Sequence, residues 1–229
     1  MITFEHVSKR YNNGSIALQD VSFQLGPGEM VFLTGHSGAG KSTLLRLILL
    51  LEKATRGQVF VNNRNLGKTA SSQIPQVRRG IGMIFQDHKL LSDKTVFDNV
   101  SLPLIIAGER YPLIRKKVRA ALKKVGLSGK EKSWPMQLSG GEQQRVGIAR
   151  AIVGMPPILL ADEPTGNLDP ELSRDLFGLF RQLNDKGVTV LVASHDLALI
   201  RSMRQRVLVL SQGSLVDDIP GADIAGRSS

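Results

Sequence analysis

The chain contains no cysteine in its 229 residues, so neither disulfides nor thiolate metal sites contribute to its stability or chemistry. That absence agrees with a reducing compartment. Aromatic residues make up 5% of the chain, with one tryptophan and two tyrosines, which supplies platforms for stacking nucleic-acid bases poorly. Long apolar runs are missing as well. The longest, Leu44 to Leu51, is interrupted by Arg46 and falls far short of the roughly 20 residues that cross a bilayer. Met1 leads into Ile2-Thr3-Phe4-Glu5 rather than a basic and then apolar stretch, so no secretory signal is expected. There is no internal repeat and no low-complexity tract. Acidic residues are scarce: 20 stand against 30 lysines and arginines, leaving a net charge of +10. The excess is concentrated around Arg110 to Lys132. An anionic membrane surface, nucleic acid or plain solubility would each account for it, and the shortage of aromatics favours the membrane surface.

What remains is ordinary for a globular protein: 41% hydrophobic and 22% charged residues, enough for one large α/β domain with room for a small inserted subdomain. One stretch organises the rest. Gly35-His36-Ser37-Gly38-Ala39-Gly40-Lys41-Ser42-Thr43 follows the apolar run Met30 to Leu33 and opens a leucine-rich segment. Strand, glycine loop and helix at the spacing G-x-x-x-x-G-K-S form a phosphate-binding P-loop. Glycines let the backbone curl until successive N–H groups point at phosphate oxygens, and the helix that starts near Lys41 adds its positive end there. Lys41 is expected to neutralise β- and γ-phosphate charge, and the Ser42 hydroxyl to ligate Mg²⁺.

Along the chain, residues 2–8 and 17–25 alternate as strands, with Tyr11 in the loop between them, either a stacking platform for a base or a cover for a core edge. Further strands are expected at 57–61 and 81–85, joined by a polar link over 73–79. Gln86 ends the second of these, where ligand-contacting groups of α/β sheets gather. From residue 87 helix patterns replace strands: 95–102, then 115–125 with Val118, Ala121, Leu122 and Val125 on one face and Lys116, Lys117, Arg119, Lys123 and Lys124 on the other. That basic face is either solvated surface or a contact for phospholipid headgroups or an acidic partner. Alternation then resumes, with a helix after Ser139, a strand at 158–161, a helix over 170–186, a buried strand at 188–193, a helix at 197–203, strands at 206–210 and 214–216, and a loose tail from Pro220 to Ser229. Strands and helices in this order imply a largely parallel sheet with helices on both faces.

A second constellation is Ile158-Leu159-Leu160-Ala161-Asp162-Glu163, an apolar strand ending in paired acids. Asp162 at its tip suits the Mg²⁺ shell, and Glu163 can orient and deprotonate an attacking water. A third is Leu138-Ser139-Gly140-Gly141-Glu142-Gln143-Gln144-Arg145. Ser-Gly-Gly ahead of a helix is another phosphate-ready N-terminus. One site does not need two cradles, so the second points to a nucleotide held by another copy of the chain.

That run resembles the signature motif of the ABC-type ATPases, and the resemblance extends over essentially the whole chain. It implies a P-loop NTPase fold: a single nucleotide-binding domain, residues 1–229, with a mainly parallel core sheet, an antiparallel β subdomain and an inserted α-helical subdomain. The core and β subdomain would occupy about 1–86 and 155–229, and the helical subdomain with the signature about 87–154. It implies that Gln86 is the Q-loop glutamine, contacting ATP and Mg²⁺ together with Ser42 and Asp162, and that Tyr11 stacks on adenine. Gly166-Asn167-Leu168-Asp169 is similar to the D-loop, so that Asp169 joins Ser139, Gly140, Gly141 and Glu142 in touching ATP in trans. His195, by itself an unremarked surface or core histidine, resembles the switch histidine that holds the γ-phosphate beside Glu163 and Lys41.

Within the family, His36 in the P-loop, Gly82 to Leu91, Thr95 to Val100 and Pro103 to Gly108 are most similar to the ATPases of bacterial cell division. Lipoprotein-release and macrolide-export ATPases share Gly-Asn-Leu-Asp but more often carry a Ser or Pro-type residue at position 36. Nutrient importers more commonly have Ser-Ala-Leu-Asp. The cell-division resemblance implies an ATP- and Mg²⁺-dependent ATPase that pairs head to tail as a homodimer at the cytoplasmic face of the bacterial inner membrane. Its expected partner is an FtsX-like integral membrane protein, whose coupling helix would dock near Gln86 and the helical subdomain, with an anionic lipid surface as a further contact and no specific nucleic acid. Export of lipoproteins or macrolides is the first alternative, and a soluble ABC protein acting on nucleic acid the second.

Overall fold

The computed structural model describes residues 1–166 and 168–224. The chain runs through β1 (Ile2–Arg10), β2 (Ile16–Leu25), β3 (Met30–Thr34), α1 (Lys41–Ile48), β4 (Arg56–Val61) and β5 (Arg64–Asn65). Next come α2 (Ile74–Arg79), β6 (Ile81–Ile84), α3 (Val96–Ile106), α4 (Tyr111–Lys124) and α5 (Gly140–Ile152). The last part holds β7 (Ile158–Asp162), α6 (Pro170–Asn184), β8 (Thr189–Ala193), α7 (Leu197–Met203), β9 (Arg206–Ser211) and β10 (Ser214–Ile219).

Two sheets result. One is antiparallel, in the order β2-β1-β4-β5. The other has the order β10-β9-β3-β8-β7-β6, all parallel except the edge strand β10. The parallel strands are apolar along their middles because both faces are covered, with polar residues such as Thr34, Asp162, Thr189 and Arg206 at their ends, and the odd–even split of their side chains sorts them between two cores. Met30 and Phe32, Leu159 and Ala161, and Val190 and Val192 face the core shared with α3 to α6. Val31 and Leu33, Ile158 and Leu160, and Leu191 and Ala193 face the core shared with α1 and the antiparallel sheet. The carboxyl ends of β3, β6, β7 and β8 therefore lie side by side, held by their register.

Local chemistry fixes where the helices begin. Thr95 and Ser139 each close a capping box, with Asp98 and Glu142 respectively, and Asp169 and Asp196 cap α6 and α7. Asn99, fully buried, ties down the loop ahead of α3. Its amide nitrogen donates to the carbonyls of Leu91, Lys94 and Thr95, and its carbonyl accepts from the Leu91 N–H.

The structure departs from the sequence expectation in several places. The segment 73–79 is not a polar link but mainly the short helix α2, docked by Arg78, whose guanidinium donates to the Leu49 and Leu50 carbonyls at 2.9 and 3.0 Å. Its polar composition concealed a helix that tertiary contacts hold. Helix α3 runs past residue 102, through Pro103, to Ile106, and α4 starts at Tyr111, with Pro112 in its first turn where a missing N–H costs nothing. Strand β10 runs on to Ile219, and the tail expected to be loose begins with a 3₁₀ turn, Gly221–Asp223, that seats Ile224 in the core. The rest of that tail, 225–229, lies outside the described residues, as does Asn167 of the D-loop run.

Candidate nucleotide site

The site is built on the β3–α1 loop. Gly35 and Gly40 have φ of 148° and 107°, and a Cβ on either would meet backbone oxygen, 2.2 Å from the Leu210 carbonyl and 2.5 Å from that of Ala17. Only glycine lets the loop pass this close to its neighbours. Gly40 leads directly into α1, so the loop ends on an uncapped helix start.

A cavity of about 920 Å³ opens over this loop. It is lined by all of Gly35 to Thr43 together with Gln86 after β6, Asp162 and Glu163 at the end of β7, and His195 after β8. The structure thus brings together Gly35, His36, Ser37, Gly38, Ala39, Gly40, Lys41, Ser42, Thr43, Gln86, Asp162, Glu163 and His195 from four strand ends. Tyr11 stands beside this lining and not in it. Its hydroxyl lies 3.1 Å from Thr43 Oγ1, and Lys9 Nζ covers one ring face at 5.0 Å from the centroid. Ser139, Gly140, Gly141, Glu142 and Asp169 do not line the cavity. Ser139 and Gly140 are exposed at the start of α5, and a Cβ at Gly140 would meet nothing within 4 Å. Asp169 accepts from the Glu171 and Leu172 N–H groups, and Glu142 pairs with Lys130 Nζ at 3.1 Å.

Inside the cavity Lys41, Glu163 and His195 are linked to one another. Lys41 is 8% exposed; its ammonium donates to the Gly35 carbonyl at 2.7 Å and the His36 carbonyl at 3.3 Å, and lies 3.8 Å from Glu163 Oε1. The other Glu163 oxygen accepts from His195 Nδ1 at 2.9 Å. A carboxylate only accepts, so Nδ1 carries the proton and Nε2 is left for another partner. Glu163 sits at φ 47°, a left-handed backbone that a non-glycine residue adopts at a cost; its N–H is held by the Ala193 carbonyl.

Asp162 has its carboxyl pushed above the usual range, chiefly by burial, against the pull of a hydrogen bond from Ser42; the charge of Glu163 raises it further, and Lys41 and Arg46 lower it. Its Oδ1 is buried and has no hydrogen-bond partner among the described residues. An orphaned carboxylate oxygen beside a hydroxyl and a glutamine fits a hard cation that takes oxygen ligands. No cluster of three or more His, Asp or Glu residues placed to hold a metal exists among the described residues, so any such ion would draw its remaining ligands from substrate or water.

Three residues given no role in the sequence reading join the site to the helices. Gln144, 1% exposed on α5, donates through Nε2 to the Pro164 carbonyl at 2.9 Å. That fixes the amide, so Oε1 accepts from His88 Nδ1, two residues beyond Gln86. Arg150, also on α5, donates to the His88 and Lys89 carbonyls at 2.6 and 2.7 Å, and its burial lowers its proton affinity. His88 and Lys89 both have left-handed backbones, φ 58° and 48°. The strained Gln86 loop is therefore stapled to α5, and α5 to the residue after Glu163. Separations of 20 to 62 positions hide these contacts from a reading of the sequence.

Comparison with known proteins places this geometry. The ABC transporter family profile matches residues 18–166, leaving Tyr11, Asp169 and His195 outside the match. The cell division ATP-binding protein FtsE of Escherichia coli K12 is 58% identical over 94% of this chain and 97% of its own length. FtsE of Mycobacterium tuberculosis is 51% identical over 95% of each. Among solved structures, the ATP-binding cassette MJ0796, as a dimer in a post-hydrolysis state bound to ADP and Pi, superposes with a TM-score of 0.91 at 36% identity, covering 96% of this chain and 98% of that one. With a P-loop, a paired-acid strand and a signature helix in one fold, and relatives this similar over nearly its full length, the chain belongs to the ABC transporter family as an ABC-type ATPase of the FtsE branch.

Proposed function

We propose that the chain is the ATP-hydrolysing subunit of a membrane-bound ABC complex acting in cell division and septal wall remodelling, working as a head-to-tail homodimer that closes on two ATP molecules. One observation carries this reading: the chain offers two phosphate-ready helix starts, and only the P-loop lies at its own cavity. Lys41 and the loop N–H groups would hold the β- and γ-phosphates. Ser139 and the Gly140 and Gly141 backbone of the second copy would cover the γ-phosphate, with Glu142 and Asp169 behind them. The ring face of Tyr11 that Lys9 leaves uncovered would take adenine. Glu163 accepts the proton of the attacking water, and His195, oriented through Nδ1, would donate from a protonated Nε2 to the γ-phosphate. Ser42, Asp162 and Gln86 would hold Mg²⁺. That ion supplies charge neutralisation across the phosphate oxygens.

The membrane partner would be FtsX-like. A groove of about 420 Å³ beside β6, lined by Met83, Phe85, Leu104 and Ile106 with Arg78 and Glu109 at its polar margin, would receive its coupling helix. Glu109 Oε2 is buried there without a partner among the described residues, so a donor from that helix would complete it. No helix among the described residues is long and apolar enough to cross a membrane. Attachment at the cytoplasmic face of the inner membrane would therefore run through the partner, with the basic face of α4 available to anionic lipid. Relatives named for cell division at 43 to 58% identity favour this branch over the export systems.

Mixed dimers test the shared site. One Ser139→Arg chain paired with one wild-type chain should lose the hydrolysis that depends on the altered half-site, and full activity in such dimers would end the model. Affinity capture from membranes should recover an FtsX-like integral protein; recovery of an export permease would reassign the branch.

A further inference from the structure

We propose that the elbow between α3 and α4 docks on an anionic bilayer, with lipid phosphates seated among Arg115, Arg119 and Lys132. This rests on the reading that the chain works at a membrane, and adds a contact that the chain makes itself, without its partner protein.

The first observation is a run of large apolar side chains left in water. Ile105 and Ile106 at the end of α3 are 55% and 51% exposed, and Tyr111 and Leu113 at the start of α4 are 63% and 45% exposed. Single exposed apolar residues are common, but four large ones fall within nine positions of one turn-and-helix corner, and of these only Ile106 also lines the groove beside β6, so Ile105, Tyr111 and Leu113 are left for another cover.

The second observation is the charge beside it. The outer face of α4 exposes Arg115, Lys116, Arg119, Lys123 and Lys124, and the helix contains no acidic residue. Arg115, Arg119 and Lys123 follow one another at i, i+4 spacing, where like charges repel. A helix whose polar face served only solubility would alternate signs and gain from each pair. Its first turn also lacks an acid, and Arg110 at the N-cap makes no side-chain cap, an arrangement that works against the helix dipole. The exception is Lys117, which is paired with Glu109. The other cations, without an ion pair among the described residues, thus sit where they cost stability within the chain, which an anionic partner would offset.

Between α4 and the loop after it lies a cleft of about 630 Å³, lined by Phe97, Tyr111, Arg115, Arg119, Glu131 and Lys132. Three cations there face one carboxylate. Tyr111 stands edge-on to Phe97, with ring centroids 6.4 Å apart, and is 63% exposed, so its ring is supported on one side and open on the other, as tyrosine often is at a membrane interface. A bilayer accommodates all of these features: aliphatic side chains enter the headgroup region while arginines take phosphates. Nucleic acid would leave the isoleucines without a role, since they cannot stack on bases. An acidic protein would need a surface shaped to the projecting side chains.

The experiment is co-sedimentation of the purified chain with vesicles that contain no protein. Vesicles of equal parts phosphatidylglycerol and phosphatidylcholine should bind it at least about tenfold better than phosphatidylcholine alone. Each cation near an anionic surface contributes about fivefold in partition, so Arg115→Glu with Arg119→Glu should lower binding by on the order of 25-fold or more. Tyr111→Ser with Leu113→Ser should keep most binding at low salt and lose what persists at ~0.5 M salt, where charge is screened. Both double variants should hydrolyse ATP as the wild type does, which shows that they fold. The proposal is overturned by equal binding to the two vesicle types or by charge-reversed protein that still sediments. It is equally overturned if an oligonucleotide at matched phosphate concentration displaces the chain, an outcome that assigns this face to nucleic acid. None of these results depends on which membrane protein is captured.

Discussion

Gln144→Leu is the most informative single change, because it removes a side chain that links α5 both to the Gln86 loop and to Pro164, in the segment after β7. Leucine is close in size, so the packing volume is kept while two hydrogen bonds are lost. The Pro164 carbonyl loses a donor at 2.9 Å, and His88 Nδ1 loses its acceptor. A buried polar group left without a partner costs ~1–3 kcal/mol. Two of them, less the gain from burying an apolar side chain, put the net loss at about 2–4 kcal/mol. For a chain of this length each kcal/mol moves the melting temperature by ~2–4 °C, so Gln144→Leu should melt about 4–16 °C lower. Nothing at the P-loop changes, so the KM for ATP should stay within about twofold while kcat falls. Loss of stability alone would not separate a linker from an ordinary core residue, and a double-mutant cycle does. His88→Ala leaves Gln144 Oε1 without its donor, so adding Gln144→Leu should cost less than it does alone, with a coupling of ~0.5–3 kcal/mol in stability and the same non-additivity in kcat. If the two changes add within about 0.5 kcal/mol, the bridge between the Gln86 loop and Pro164 is not a mechanical unit and the reasoning fails.

Three further outcomes are expected. Glu163→Gln should retain ATP and the contact to His195 but turn over about 10²–10⁴-fold more slowly, as loss of a general base does; an unchanged rate in a steady-state phosphate-release assay would remove Glu163 from that role. Asp162→Asn removes a buried carboxylate with an orphaned oxygen, so without nucleotide it should melt no lower than wild type, while the rise in melting temperature on adding Mg²⁺ and ATP should largely disappear; a clear loss of stability without nucleotide would contradict this. Glu142 is held below its ordinary value near 4.5, first by the Ser139 N–H and then by Lys130. A carboxylate depressed in the folded state adds stability above its unfolded value and loses it as pH falls through the folded one, so Glu142→Gln should cost about 0.5 kcal/mol at neutral pH, small because solvent screens the Lys130 pair, and nothing in acid well below pH 4.5. A pH series of urea midpoints would check it.

How much of this could be read from the chain depends on whether the chemistry is contiguous. The P-loop, the paired acids at 162 and 163 and the Ser-Gly-Gly helix start are each written within a few residues, because backbone curvature, strand ends and helix caps are local. Their assembly into one cavity was legible only as a consequence of fold class: parallel strands put their carboxyl ends together, and Asp162 closes such a strand while Gln86 and His195 follow two others. What could not be read are contacts made by side chains with no local signature. Gln144 looks like one more polar residue on a helix, and only the packing of α5 against the Gln86 loop makes it buried. Helix α2 was hidden for a related reason, since its stability comes from Arg78 reaching the end of the α1 segment and not from its own composition. Strand β5 is two residues long, too short for any periodicity.

The charge arrangement inside the cavity bears on when hydrolysis begins. A nearly buried ammonium cannot stay unpartnered, and in the chain alone Lys41 is served by two loop carbonyls and by Glu163. Those partners stand in for phosphate oxygens. They also keep the loop from collapsing onto an unsatisfied charge, and they hold Glu163 Oε1 toward the lysine. When a triphosphate enters, its oxygens outcompete carbonyls for the ammonium, because both partners are then fully charged. Lys41 would then turn to the phosphate, and the Glu163 oxygen that faces it would be released. The opposite oxygen stays fixed by His195 at 2.9 Å, so the carboxylate keeps its orientation while gaining a free acceptor for water. On the proposed roles, Glu163, set between Lys41 and His195, would couple arrival of the substrate to exposure of the base.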